Sequence, residues 1–92
     1  DKRLSYEEQK KRRAESAKLK KDRDKIMLSV EEIEGKIDSI DQQFADEQFF
    51  TSCDFSIVKK MEDEKTALAS QLDSLIGEWE RLEDLLKEMD EA

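Results

Sequence analysis

Two long series of apolar residues, each repeating at alternating intervals of three and four, constrain this chain more than any other feature. The first runs from Leu19 to Phe44 and the second from Val58 to Met89, with a short irregular break between them. Their members are Leu19, Ile26, Val30, Ile33, Ile37, Ile40 and Phe44, then Val58, Met61, Leu68, Leu72, Leu75, Trp79, Leu82, Leu86 and Met89. A mean repeat of about 3.5 residues keeps one narrow seam facing a partner helix. The pattern predicts an all-α fold in which two long antiparallel helices form a coiled-coil hairpin.

Local signals predict where the helices begin and end. Ser5 followed by Glu8 has the capping-box pattern of a helix N-terminus. Asp54 is a favoured N-cap immediately before the second apolar series. The chain is expected to form a single domain, 1–92, with helix 1 at about 6–45, a turn at about 46–54 and helix 2 at about 55–90.

The register of the pairing has two candidates. If facing residue numbers add up to about 105, Lys20 lies near Glu83; a total of about 98 instead brings Arg13 near Glu83 and Lys36 near Glu64. Exposed ion pairs contribute only ~0.2 to 1 kcal/mol each, so they do not decide between the two. A monomer is expected, although heptads do not distinguish pairing within one chain from pairing between chains.

The net charge of −8 conceals an asymmetry between the two ends. Residues 1–25 carry eleven Lys and Arg against six Asp and Glu, whereas residues 26–92 carry six against nineteen. The start of helix 1 is therefore basic, and the rest of the chain is acidic. The single cysteine, Cys53, cannot form an internal disulfide, which fits a reducing compartment. No apolar run is long enough to span a membrane. The expected location is therefore the cytoplasm. Because the sequence starts at Asp1, we expect a fragment of a longer protein.

Residues for catalysis or metal binding are scarce. The chain has no histidine, and neither Gly35 nor Gly77 belongs to a phosphate-binding loop. Acidic clusters such as Glu31, Glu32 and Glu34 are typical of a solvated helix face rather than a pair of catalytic carboxylates. No catalytic residue, cofactor site or metal site is predicted in this chain.

The strongest candidate for a binding site is a basic surface at the start of helix 1. Seam positions at Arg12, Ser16, Leu19, Arg23 and Ile26 are expected to leave five lysines on the outer side of the helix, with Arg13 and Lys20 at the border of this surface. The five are Lys10, Lys11, Lys18, Lys21 and Lys25. The candidate nucleic-acid-binding residues, called here the basic stripe, are Lys10, Lys11, Arg13, Lys18, Lys20, Lys21 and Lys25. Such side chains can follow a phosphate backbone without reading its sequence. The alternative is an ordinary solvated helix face.

Aromatic residues suggest two further roles. Phe44, Phe49, Phe50 and Phe55 surround the turn and are expected to plug the tip of the hairpin. Phe49 or Phe50, if exposed, could instead contact a partner. Tyr6, with Leu4, is expected to anchor the hairpin to an upstream domain.

Three segments resemble a known family. They are residues 2–9 (KRLSYEEQ), 46–50 (DEQFF) and 78–85 (EWERLEDL). Together they resemble the C-terminal coiled-coil domain of ABC-F ATPases, including the Uup type. Leu4, Ser5 and Tyr6 match the motif at the start of that domain, and Trp79, Leu82 and Leu85 match the motif near its end.

The resemblance implies a parent protein with two upstream ATP-binding cassettes that use ATP and magnesium and have no membrane-spanning part. It implies a parent ATPase that acts on ribosomes in translation or antibiotic protection, with this domain as an accessory module that contacts ribosomal RNA or DNA. A protein-interaction or spacer module, which docks the ATPase domains of the parent or ribosomal proteins, is the alternative.

Overall fold

A computed structural model describes the backbone of residues 5–91 and the side chains of residues 5–89. Three helices follow one another: α1 at Tyr6–Ala45, α2 at Glu47–Ser52 and α3 at Phe55–Glu91. The two long helices pack against each other over most of their length, and α2 lies at the tip. The predicted antiparallel helical hairpin is confirmed. With about 1.5 Å of rise per residue, the 40 residues of α1 extend over about 60 Å.

The core is a single seam between α1 and α3. Its buried residues are Val30 and Ile40 on α1 and Leu68, Leu82 and Leu86 on α3. The remaining members of both apolar series are half-buried, including Trp79. A two-helix hairpin covers only one side of each helix, so the stability depends on many layers that each contribute little.

Polar contacts across the seam define the register. Arg23 pairs with Glu83, and Asp41 pairs with Lys65. In both pairs the residue numbers add up to 106, close to the 105 of one predicted register. Lys65 was not assigned to an apolar series, yet it is half-buried and continues the three-four spacing between Met61 and Leu68.

The tip differs from the predicted irregular turn because six of its residues form the short helix α2. The carboxylate of Asp46 caps this helix by accepting a hydrogen bond from the N–H of Gln48 at 3.0 Å. The hydroxyl of Ser52 donates to the carbonyl oxygen of Gln48 at 2.6 Å. Side chains that bond to the local backbone thus stabilise a helical turn within a segment that lacks heptad spacing.

Three of the four phenylalanines pack at the tip, but the expectation for Phe55 was wrong. The ring centroid of Phe44 lies 6.3 Å from that of Phe49 and 5.6 Å from that of Phe50. Phe55 is the first residue of α3, and its side chain is 80% exposed. Among residues 5–89 its ring contacts none of the other three phenylalanines, so it takes no part in the cluster at the tip.

Candidate nucleic-acid interface

The first turn of α1 holds the start of the basic stripe in a helical conformation. The hydroxyl of Ser5 accepts a hydrogen bond from the N–H of Glu8 at 3.2 Å, and its carbonyl accepts one from Gln9. Glu7 and Glu8 are acidic residues in the first turn, where they interact favourably with the helix dipole. The predicted N-cap is therefore formed, and α1 is continuous through the whole basic stripe.

Every member of the basic stripe is exposed. Among residues 5–89, none of the seven forms an ion pair or a hydrogen bond through its side chain. Their charges are thus available to a ligand. Whether they bind nucleic acid stays a prediction.

The two arginines at the seam behave differently from the stripe. Arg12 donates from Nη2 to the carbonyl oxygen of Met89 at 3.4 Å. Arg23 lies 3.0 Å from Glu83 and also contacts Asp24. The hydrogen bond with Glu83 raises the pKa of Arg23 above its usual value, because it stabilises the charged guanidinium. Cations at the seam join the helices, whereas those of the stripe face solvent.

The basic stripe is broader than a single line along α1. Lys18 lines a groove between the helices together with Arg81 and Leu82. Lys20 lines a different groove together with Glu83 and Lys87. Residues seven apart lie on the same side of such a helix. Lys11 and Lys25 therefore lie on the same flank of α1 as Lys18, and Arg13 lies on the same flank as Lys20. The cations therefore cover both flanks of α1. Lys18 was predicted to lie on the outer side of α1, but it borders the groove between α1 and α3 instead.

Lys87 is a cation near the basic stripe that the sequence analysis missed. It belongs to α3, is exposed, and lines the same groove as Lys20. Glu83 and Asp84 line this groove as well, so the flank beside Lys20 is of mixed charge. The 105 register would have indicated this position, because it brings residues 83–87 of α3 near Lys20.

Cys53 and the acidic side chains are the remaining groups that could carry chemistry. Cys53 is half-buried, and its N–H donates to the carbonyl oxygen of Phe49. Within the described residues, no three acidic or cysteine side chains are grouped so that they could hold a metal ion. No helix in this part of the chain is both long and apolar enough to cross a bilayer.

Comparison with known families assigns the hairpin. A family described as the ABC transporter C-terminal domain matches residues 13–84, which is more than half of the chain. The chain belongs to this family. Two features used for the resemblance, Trp79 and the tip residues 46–50, fall inside the matched span of this ABC transporter C-terminal domain. Leu4, Ser5 and Tyr6 precede it, as do Lys10 and Lys11, and Leu4 also lies outside the described residues.

Membership of the ABC transporter C-terminal domain family identifies the chain as an accessory part of an ABC protein. It gives no indication of catalysis by the hairpin itself. No curated protein and no solved structure was found to match the chain.

Proposed function

We propose that this accessory domain helps to position an ABC-F-type ATPase, of the Uup type by resemblance, on ribosomal RNA or on DNA. The observation that supports the proposal is the basic stripe itself: seven exposed cations that form no side-chain ion pair among residues 5–89, on a chain that is otherwise acidic. By resemblance, the parent would bind ATP and magnesium in its ATP-binding cassettes and would act in the cytoplasm during translation or ribosome protection.

Binding through the basic stripe would be electrostatic and independent of sequence. Six of its seven members are lysines, which act as point charges and do not form the planar fork with which arginine reads a guanine edge. The stripe holds no aromatic side chain on which a base could stack. The ligand is therefore recognised by its phosphate backbone and its shape.

Acidic residues confine this contact to the first half of α1. Phosphates that approach α3 meet exposed carboxylates such as Asp73, Glu80 and Glu88, and like charges repel. A ligand is thus oriented along residues 10–25, a segment about 22 Å long at about 1.5 Å per residue.

Fluorescence anisotropy with labelled RNA and DNA hairpins tests the proposal. If five to seven phosphates are contacted, affinity should fall by roughly 10³-fold between about 50 and 200 mM salt. The double variant Lys18→Glu/Lys25→Glu should weaken binding strongly at low salt. Its matched control is Lys59→Glu/Lys60→Glu, which changes the net charge equally at exposed positions of α3.

Equal losses in these two double variants would show that only net charge matters, and the basic stripe would then not be the site. Absence of binding to both hairpins at low salt would also refute the proposal.

A protein-docking or spacer role is the second candidate, and the exposure of Tyr6 favours it. This side chain is 76% exposed at the start of α1, where the hairpin would join an upstream domain. In this case Tyr6→Ala should impair the parent protein, and the effect should respond little to salt. The docking role would be excluded if the stripe variants lose nucleic-acid affinity while the parent protein that carries Tyr6→Ala keeps its full activity.

A further inference from the structure

The tip of the hairpin exposes large apolar side chains that the fold does not use. Phe50 and Ile57 are each 48% exposed, and Phe55 is 80% exposed. These three residues, called here the apolar tip, lie within eight positions of the chain at the extremity of the molecule. Single exposed apolar residues are common on protein surfaces, but several together at one end are typical of an interaction site.

Local structure does not explain Phe55. It occupies the first turn of α3, which contains no acidic residue, although acidic residues stabilise such a position. Among the described residues its ring contacts no other aromatic ring, whereas Phe44, Phe49 and Phe50 contact one another. A polar residue at this position would serve α3 equally well.

Charge around the apolar tip restricts the kind of partner. Residues 37–58 contain five acidic residues and no Lys or Arg, and the exposed Lys59 and Lys60 that follow them are succeeded by three more acidic residues at 62–64. Within residues 5–89, only Asp41 among those first five is paired with a cation, namely Lys65. The other four are Asp38, Asp46, Glu47 and Asp54, all exposed. Over residues 37–64 eight carboxylates stand against two lysines, so the surroundings of the apolar tip are net negative. A surface of this kind repels phosphate backbones and anionic lipid headgroups and attracts cations.

We propose that the apolar tip docks a protein segment that presents apolar side chains flanked by Lys or Arg. Phe55 and Ile57 are two residues apart on a helix and therefore face different sides of α3. A single partner helix therefore contacts the end of the hairpin on the side of Phe55. This site is independent of the basic stripe: Lys25 and Ala45 are twenty residues apart on α1, about 30 Å along the helix.

The test uses the whole 92-residue chain and a labelled helical peptide with leucines on one face and lysines on the other. Two control peptides keep its length: one has the same composition with scattered leucines, and one has glutamate in place of lysine. The amphipathic lysine peptide should bind at least about tenfold more tightly than either control, because it alone has both an apolar face and complementary charge.

Variants of the chain locate the binding. Phe55→Ser should weaken the peptide complex by about tenfold or more, the size expected for an aromatic anchor. Leu28→Ser is the matched control, since Leu28 is 67% exposed on α1, about 25 Å from the tip along the helix. The thermal midpoint of each variant shows that the hairpin is intact.

The contribution of charge is tested with Asp46→Asn/Glu47→Gln/Asp54→Asn, which keeps side chains able to cap α2 and α3. Its control, Asp73→Asn/Glu80→Gln/Glu88→Gln, removes three exposed carboxylates from the rest of α3. The tip variant should weaken binding several-fold more than this control.

Several results would overturn the proposal: no binding of the amphipathic peptide, equal losses in Phe55→Ser and Leu28→Ser, or tighter binding of phosphatidylserine vesicles than of the peptide. Self-association that Phe55→Ser abolishes, measured by sedimentation, would assign the tip to a second copy of the chain instead. Phe55→Ser should leave nucleic-acid affinity unchanged, so this site and the basic stripe succeed or fail separately.

Discussion

Arg23 on α1 and Glu83 on α3 form an ion pair across the hairpin, with 3.0 Å between Nη1 and Oε1. Both side chains are partly exposed, at 29% and 39%. Together with Asp41 and Lys65, the pair links the helices at two points that share one register. Polar pairs at seam positions favour one register over others, because a shifted register leaves each charge without its partner.

Charge reversal tests this relationship. Glu83→Arg places two guanidinium groups side by side and should lower the thermal midpoint, and Arg23→Glu should do so by repulsion between carboxylates. The double variant Arg23→Glu/Glu83→Arg should recover much of the loss, and the double-mutant cycle in thermal unfolding measures the coupling. Purely additive effects would mean that the two residues do not face each other.

The seam should tolerate little loss of volume at its most buried layer. Leu82 is 3% exposed, and Leu82→Ala should lower the free energy of unfolding by about 2 to 5 kcal/mol, since it removes buried methyl groups and leaves a cavity. Urea unfolding followed by far-UV circular dichroism provides the measurement. Leu28→Ala, on the exposed side of α1, is the control and should change stability by less than about 0.5 kcal/mol. Similar losses in both variants would contradict the seam as placed here.

Much of the architecture could be predicted from the sequence because heptad spacing records it directly. The positions from Leu19 to Phe44 specify one face of α1, and Ser5 specifies its start. The tip could not be predicted in the same way. Its helix α2 depends on short-range bonds from Asp46 and Ser52 to the backbone, and such bonds have no periodic signature.

The candidate site was predictable in composition but not in arrangement. Charge counting identified the seven cations of the basic stripe, and all of them are exposed. Their distribution over both flanks of α1, and the presence of Lys87 beside Lys20, depend on how α3 packs. Lys65 was overlooked because a charged residue interrupts an apolar series, even though its long side chain can pair at the edge of a seam.

Glycine within the long helices offers a way to stabilise the hairpin without altering its surface charge. Gly35 and Gly77 lie inside α1 and α3, and a Cβ added at either position would meet no atom within 4 Å. Gly35→Ala and Gly77→Ala should each raise the free energy of unfolding by roughly 0.5 to 1 kcal/mol, because alanine loses less backbone entropy on folding. Urea unfolding of the single and double variants checks this, with additive gains expected for sites on different helices. A loss of stability at either position would indicate a close contact that the structure does not contain.

The N-cap at Ser5 links the stability of the first turn of α1 to the proposed binding surface. Ser5→Ala removes the acceptor for the N–H of Glu8 and should destabilise this turn by about 1 kcal/mol. Hydrogen exchange should accelerate at the amides of Glu8 and Gln9 while the amides near the buried Val30 remain protected, because fraying is confined to the terminus. Ser5→Asp keeps an acceptor and adds favourable charge at the helix N-terminus, so exchange should return to the wild-type rate. Since Lys10 and Lys11 follow within two turns, Ser5→Ala should also weaken nucleic-acid binding modestly, with recovery in Ser5→Asp. Unchanged exchange in Ser5→Ala would show that other contacts, and not this hydroxyl, hold the start of the helix.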